Sequence, residues 1–349
     1  MQKNNKKIFS FEEVDKLVGD HIVIPDEYTE IEKWAFMGRM DLVNVVIPDS
    51  VITIGDSAFE SCDELCTIMI PRNVVKLGRN VFDCCKKLET IYVDEGNSEY
   101  ISEEGVLFNK DKTVLIKYPQ GKTQSTYDIP YGVRVINESG FKDVKSLKSI
   151  NIPNSVIKIC DQAFTYCKLE NIRIPSSVTS IGRRAFSECL TANIFVDLEN
   201  MHYSDQNGVL FNKNKTELIK YPSDLIKYQS DSYIVPDGVT EIGEYAFCRS
   251  PFLKHVTLSR GITQIGRNAF DSCFYLAEIV IPKSVKYIGK EAFKSCINLT
   301  YCKFKTTANA ETSIEESAFD CCEKLTIKCL NNSDVHIYAQ KNGIRYEII

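Results

Sequence analysis

The sequence predicts a β-rich repeat solenoid of about twelve coils, each near 23 residues long. Three observations carry this. Prolines recur at a fixed interval: Pro25, Pro48 and Pro71 lie 23 residues apart, as do Pro130 and Pro153. Pro175 follows after 22, and Pro236 and Pro282 lie 46 apart with Ser259 between them in register. Eleven positions after the proline stands a phenylalanine: Phe36, Phe59, Phe82, Phe141, Phe164, Phe186, Phe247, Phe270 and Phe293, with Phe319 in a degenerate last unit. The residues ahead of the proline alternate in polarity. A period in this range means coils that bury their apolar sides only against one another.

Each element of the coil follows in order. Stretches such as "NVVIP", "CTIMIP" and "AEIVIP" have the period of two that marks a strand with one face inward. Successive strands are expected to form one continuous parallel sheet, each ended by proline where its missing N–H costs least. Seven positions after the proline stand Gly55, Gly78, Gly182, Gly243, Gly266 and Gly289, which predicts a tight turn; positive φ is one way to make it, and Asn137 and Cys160 in the same column weaken that reading but not the turn. Fourteen positions after it stand Cys62, Cys85, Cys167, Cys189, Cys273 and Cys296, with Cys322 matching in the last unit. A cysteine in a repeating apolar column reads first as a small buried hydrophobe. Metal ligation and disulfide pairing are the other readings, although Cys62 and Cys66 lack the second pair that a zinc site needs.

Two units are longer. "IYVDEGNSEYISEEGVLFNKDKTVLIKYP" (Ile91 to Pro119) and "IFVDLENMHYSDQNGVLFNKNKTELIKYP" (Ile194 to Pro222) each repeat "GVLFNK", a polar turn and "LIKYP", which predicts a β-hairpin inserted into the coil. Open solenoid ends need caps. "SFEEVDKLV" predicts a short N-terminal helix with Ser10 and Glu13 as a capping box, and "SDVHIYAQKNGI" predicts a C-terminal helix with Ser333 as N-cap and Gly343 as its stop. The expected organisation is a capping segment over 1–20, a solenoid over 21–330 with enlarged units near 91–129 and 194–235, and a cap over 331–349.

The chain has 349 residues, 44% of them hydrophobic and 26% charged, which places it among ordinary folded proteins. A net charge of −5 argues against nucleic acid as the partner. No apolar run reaches the length of a membrane span, so no membrane insertion is expected. The start "MQKNNKKIFSFEEV" lacks an apolar stretch after its lysines, which reads as cytoplasmic unless an export signal precedes it.

The unit IP-x-x-V-x-x-I-G-x-x-A-F-x-x-C-x-x-L, the "GVLFNK…LIKYP" insertions and the ending "SDVHIYAQKNGI" resemble the BspA-like (Treponema pallidum-type) leucine-rich repeat over about residues 21 to 349. The resemblance implies an α/β leucine-rich-repeat solenoid with a parallel sheet on its concave side. It also implies a cell-surface or secreted protein that adheres to other proteins or cells, and no catalytic residues.

The residues themselves offer no catalytic constellation. The four histidines, His21, His202, His255 and His336, form no HExxH, and no nucleophile elbow or phosphate-binding glycine loop is present. The expected protein is not an enzyme and carries no cofactor or metal. Its expected partner is a protein, and alone it is expected to be a monomer. Outward strand positions are the candidate binding residues. Two positions before the proline run Val23, Val46, Met69, Tyr92, Asp128, Asn151, Arg173, Phe195, Ile234, Thr257, Val280 and Lys303. Four before it run mostly short polar residues, ending in His255, Glu278 and Tyr301. The candidates drawn from these lines are Val46, Met69, Tyr92, Asn151, Arg173, Phe195, Ile234 and Tyr301. Exposed contiguous apolar rungs mark an interaction site, unless the N-terminal helix or a hairpin covers them.

Overall fold

The structure, a computed structural model, describes residues 7–189, 193–222, 231–305 and 311–349. Residues 1–6 of the capping segment, 190–192, 223–230 of the second enlarged unit and 306–310 lie outside the described residues. The chain forms two compact units: Met1–Leu169 with Ser177–Phe186, and Glu170–Ser176 with Ser187–Ile349. Each is β-solenoid, with about 14 turns in all.

A coil has three sides. The first is the strand ahead of the proline, such as Thr67–Ile70, whose Ile68 and Ile70 are buried while Thr67 and Met69 are exposed. The second is a two-residue strand, such as Thr53–Ile54, paired in parallel with Glu30–Ile31 before it and Lys76–Leu77 after it. The third is a turn whose alternate amides reach the next coil: Ser57, Phe59 and Ser61 donate to the carbonyls of Arg79, Val81 and Asp83. This side places two residues in the left-handed region in most plain coils, usually non-glycine, as at Ser57 (φ 52°) and Ser61 (φ 61°). That conformation is costly for L-residues, and the hydrogen bonds to the neighbouring coil hold it.

The phenylalanine column is the core of each unit. Phe36 and Phe59 stack at 4.9 Å, and Phe141 and Phe164 at 5.1 Å. Phe247, Phe270, Phe293 and Phe319 follow one another at 4.8, 5.0 and 5.0 Å, with ring planes within 5°. The cysteine column lies beside it, and all fourteen cysteines are free thiols. Cys62, Cys85, Cys167, Cys273 and Cys296 each donate Sγ–H to a phenylalanine carbonyl one coil back, over 3.0 to 3.2 Å. The small hydrophobe therefore also satisfies a buried acceptor. Burial pushes the Cys85 thiol up to about 12.

The glycine column corrects the expectation of positive φ, because none of its six members adopts it. Glycine is required there by close approach. A Cβ at Gly55 would lie 2.4 Å from the Lys33 nitrogen, one at Gly78 2.3 Å from that of Asp56, and one at Gly289 2.8 Å from that of Arg267.

The enlarged units are more than hairpins. Tyr100–Glu103, Val106–Asn109 and Val114–Lys117 form a three-stranded antiparallel meander. Its third strand joins the second side in parallel, with Val114 opposite Val135. In the other unit, Tyr203–Gln206, Val209–Asn212 and Glu217–Lys220 do the same. The first turn of each has two consecutive positive φ values, at Glu104–Gly105 and Asn207–Gly208, the geometry of a type I′ hairpin.

The meanders interrupt the first side, so the single continuous sheet expected there is broken. The Gly105 carbonyl accepts from the Ile91 amide at 3.0 Å, and the Gly208 carbonyl accepts from the Ile194 amide at 3.1 Å. These bonds occupy groups that a following parallel strand would use.

The third side is also replaced in these units. Tyr118 and Tyr221 take the phenylalanine place, stacking on Phe141 at 5.3 Å and on Phe247 at 5.0 Å. Lys117, just ahead of Tyr118, is buried and pairs with Asp83 at 2.7 Å.

Both ends are capped. In the helix Phe11–Val14, Glu13 accepts from the Ser10 amide at 2.9 Å, and a preceding strand, Ile8–Phe9, pairs with Glu30–Ile31. The helix Asp334–Lys341 starts at Ser333, which accepts from the His336 amide, and ends at Gly343 with φ 64°. The first strand column runs on past the twelve rungs read from the sequence, through Thr326–Cys329 and a final strand Arg345–Ile348.

Candidate binding surface

On the first side every second side chain points outward, and parallel pairing sets outward residues of neighbouring coils beside one another. In the first unit, Val23 pairs with Val46 and Met69 with Tyr92. Met69 is 48% exposed and Tyr92 50%. Asn151 pairs with Asp128 and makes a polar rung. In the second unit, Arg173 pairs with Phe195, which is 38% exposed. Ile234 pairs with the polar Thr257. Tyr301 stands between Glu278 and Thr326, with the Lys328 ammonium 4.1 Å from its ring centroid and Glu347 3.0 Å from that ammonium.

The structure thus brings Met69 to Tyr92 and Arg173 to Phe195, and sets Asn151, Ile234 and Tyr301 among polar neighbours. The meanders cover part of this face, but at other positions. Their tips lie on Thr90 and Asn193: a Cβ at Gly105 would be 3.0 Å from the Thr90 methyl, and one at Gly208 would be 2.5 Å from the Asn193 Oδ1. Asn193, expected among the short exposed residues, is buried and donates to Asn171 at 3.1 Å.

A second exposed patch escaped the sequence reading. Phe252, Phe274, Tyr275 and Ile297 are exposed on the loops that enter the first-side strands of the second unit. The same loop positions in the first unit hold charges paired between coils, Lys86 with Asp63 and Lys87 with Glu64, both at 2.6 Å. The signal was legible fifteen and sixteen positions after the proline, where "DE" and "KK" give way to "FY" and "IN".

A cavity in the first unit has a polar lining. It spans about 300 Å3 beside Arg79, Asn80, Asp83, Lys117, Asn137 and Glu138. Asp83 is buried there and engaged by Lys117 at 2.7 Å and Lys142 at 2.9 Å. Burial alone would raise its carboxyl. The two ammonium groups outweigh that and hold it below the usual carboxylate range. Among the described residues, no group of three histidine, cysteine or acidic side chains is placed to hold a metal ion, and no helix is long and apolar enough to cross a membrane.

Parallel strands in register every 23 residues or so, a stacked ring column and capped ends define a leucine-rich-repeat solenoid. The chain belongs to the BspA type leucine rich repeat region family, whose model matches residues 9–124, 118–234 and 227–340. Among solved structures it is similar to a leucine rich cell surface protein from Faecalibacterium prausnitzii, with 26% identity, 94% of this chain and 88% of that one covered, and a TM-score of 0.57. It is also similar to a leucine-rich repeat protein from Eubacterium ventriosum, with 22% identity, 78% and 88% covered, and a TM-score of 0.50. The pneumococcal vaccine antigen PcpA shares 19% identity over 95% of this chain and 89% of its own length, with a TM-score of 0.51. A search of curated proteins found no match.

Proposed function

We propose that this chain is a non-catalytic recognition protein that binds a protein partner through the outward face of its first-side strands. The observation that carries the reading is the pair of exposed apolar rungs, Met69 beside Tyr92 and Phe195 beside Arg173. Rigid aromatic rings next to an orienting guanidinium have the composition of interface hot spots. The 26% identity to a protein described as a cell surface protein favours display outside the cell and an adhesive role. A recognition subunit inside a larger intracellular assembly is the other reading, favoured by a full set of free thiols.

Two variants test the face. Tyr92→Ala and Phe195→Ala leave the buried columns untouched, so both are expected to melt like the parent chain. Each is expected to weaken partner binding by about 2 kcal/mol, roughly thirtyfold, in calorimetric titration with a partner captured from the native cells. Parent-like affinity in both variants moves the site off this face. A loss in Phe274→Ala would then place it on the loop patch.

A further inference from the structure

The first meander shortens its coil on the third side. In a plain coil four residues, 55–58, separate Ile54 from Phe59. In the meander unit Leu115 takes the isoleucine place, opposite Ile136, and Tyr118 takes the phenylalanine place. Only Ile116 and Lys117 stand between them, so the turn is two residues short. The cavity of about 300 Å3 opens at this point. Arg79, Asn80 and Phe82 of the coil before line one wall, and Asn137 and Glu138 of the coil after line the other.

A shortened turn leaves its neighbours' hydrogen bonds unmade. In a plain coil the Ser57 and Phe59 amides donate to the Arg79 and Val81 carbonyls of the next coil. Asn80 and Phe82 hold the same places in the coil before the meander, and their amides meet no acceptor among the described residues. Across the cavity the Glu138 carbonyl, counterpart of the Arg79 carbonyl, receives no backbone donor among them. The Asn80 Oδ1 is shielded from solvent and is also without a partner. Such groups are ordinarily paired, so the cavity walls carry the hydrogen-bonding pattern that a short piece of peptide would satisfy.

The charges point the same way. Lys117 is already committed to Asp83 at 2.7 Å and to the Ser139 carbonyl at 3.1 Å, and Lys142 to Asp83 at 2.9 Å. Arg79 on one wall and Glu138 on the other are left, and neither has an ion-pair partner among the described residues. Opposite charges on facing walls fit a ligand that carries both.

We propose that this cavity binds a short amino-acid zwitterion, a free amino acid or a dipeptide. The ligand carboxylate accepts from the Asn80 and Phe82 amides and pairs with the Arg79 guanidinium. The ligand ammonium donates to Glu138 and to the Asn80 Oδ1. The ligand thus stands in for the residues that the meander leaves out.

The second meander makes the same shortening, with Leu218 opposite Ile242 and Tyr221 in the phenylalanine place. There Arg184 holds the place of Asn80, in the same left-handed conformation, with φ 58° against 55°. The backbone at this place therefore accepts an arginine. Asn80→Arg is a substitution that puts a longer, cationic side chain at the first unit's cavity without asking the coil for a new conformation.

The experiment titrates the full native chain calorimetrically with each standard L-amino acid and with glycylglycine. Saturable binding at one site per chain is expected from at least one of these probes. Its N-acetylated, C-amidated counterpart lacks both charges and should bind at least about tenfold more weakly. Asn80→Arg is expected to melt like the parent chain and to lose the binding heat. Arg79→Gln and Glu138→Gln should each weaken binding by about tenfold. Absence of binding by every zwitterion at millimolar concentration, equal binding of the capped counterpart, or unchanged binding in Asn80→Arg would each overturn the proposal. Should Asn80→Arg fail to fold, the two glutamine variants decide: parent-like affinity in both overturns it.

Discussion

The two meander-bearing units share a backbone and differ in the charges buried beneath it. Asn97 and Asn200 are the common anchor. Asn97 donates to the carbonyls of Pro71 and Val74 and accepts from the amides of Glu99 and Tyr100. Asn200 donates to the Pro175 carbonyl and accepts from the amides of His202 and Tyr203. The turns Asn109–Thr113 and Asn212–Thr216 are held by matching amide-to-hydroxyl bonds of 2.9 and 2.8 Å. Beneath the tyrosines the units diverge. Lys117 lies in an ion triad with Asp83 and Lys142. In the repeat register the places of Asp83 and Lys142 are taken in the second unit by Ser187 and Cys248. There Lys220 is buried, and desolvation holds its ammonium below the ordinary lysine value despite opposing contributions from Cys248, Cys189, Cys273 and Glu188. The lesson is that an inserted motif specifies its own backbone, whereas the charge of its bed comes from the coils on either side.

That contrast can be broken most strongly at Asp83. Asp83→Ala leaves two ammonium groups without their carboxylate and is expected to cost about 3–5 kcal/mol in urea denaturation. Ser187→Ala, at the matching place, is expected to cost less than about 0.5 kcal/mol, because its Oγ has no partner among the described residues. Similar losses from both would show that the two beds are energetically alike.

The shared anchor predicts symmetry instead. Asn97→Ala and Asn200→Ala each strand buried backbone groups and should cost about 2–3 kcal/mol, equal within error. A twofold difference in cost would mean that the meanders are held differently.

Titration sharpens the comparison further. Asp83 has a depressed folded value, so its contribution is present above the unfolded carboxyl value. It is lost as pH falls through the folded one. Lys220 behaves otherwise. Between its depressed folded value and 10.5 the unfolded chain binds more protons, so stability rises with pH across that window. Thermal melts from pH 7 to 10 should show the rise in the parent chain and its flattening in Lys220→Met. An unchanged slope in the variant would remove Lys220 as the cause.

The smallest effect is expected at the turn surface. Lys112 pairs with Glu103 at 3.0 Å where Lys215 meets neutral Gln206 at 2.9 Å. Glu103→Gln should shift stability by no more than about 0.5 kcal/mol, and a larger shift would show that this exposed pair matters more than its setting suggests.

The coil was legible because its constraints repeat. Ile22, Ile68 and Phe164 announce their burial through spacing alone. Features that depend on a neighbour in space rather than in sequence were harder. The glycine column looked like a turn signal because a Cβ clash with Lys33 or Asp56 can be seen only once the coils are stacked. Tyr100–Glu103 and Ile8–Phe9 were missed as strands because each is short and takes its meaning from the strand it joins. Of the candidate surface, the exposure of Met69, Tyr92 and Phe195 followed from a period of two. The interruption of the face did not, since it rests on the Gly105 and Gly208 carbonyls accepting from Ile91 and Ile194. The Phe252 and Phe274 patch was missed because its loop positions keep the register but change residue class from coil to coil, from Asp63 and Lys86 to Phe274, so no constant column marks them.

The glycine column has a consequence for how such a chain changes length. At Gly55, Gly266 and Gly289 one coil meets the next backbone to backbone, and no side chain is among the nearest atoms. Recombination between two such repeats that removes or duplicates a whole 23-residue coil therefore joins surfaces that already match. The same exchange across Lys117 would separate an ammonium from Asp83, 34 residues away. A plain coil therefore presents the same backbone contact to any neighbour of its kind, whereas the triad-bearing meander is matched to the coil that carries Asp83.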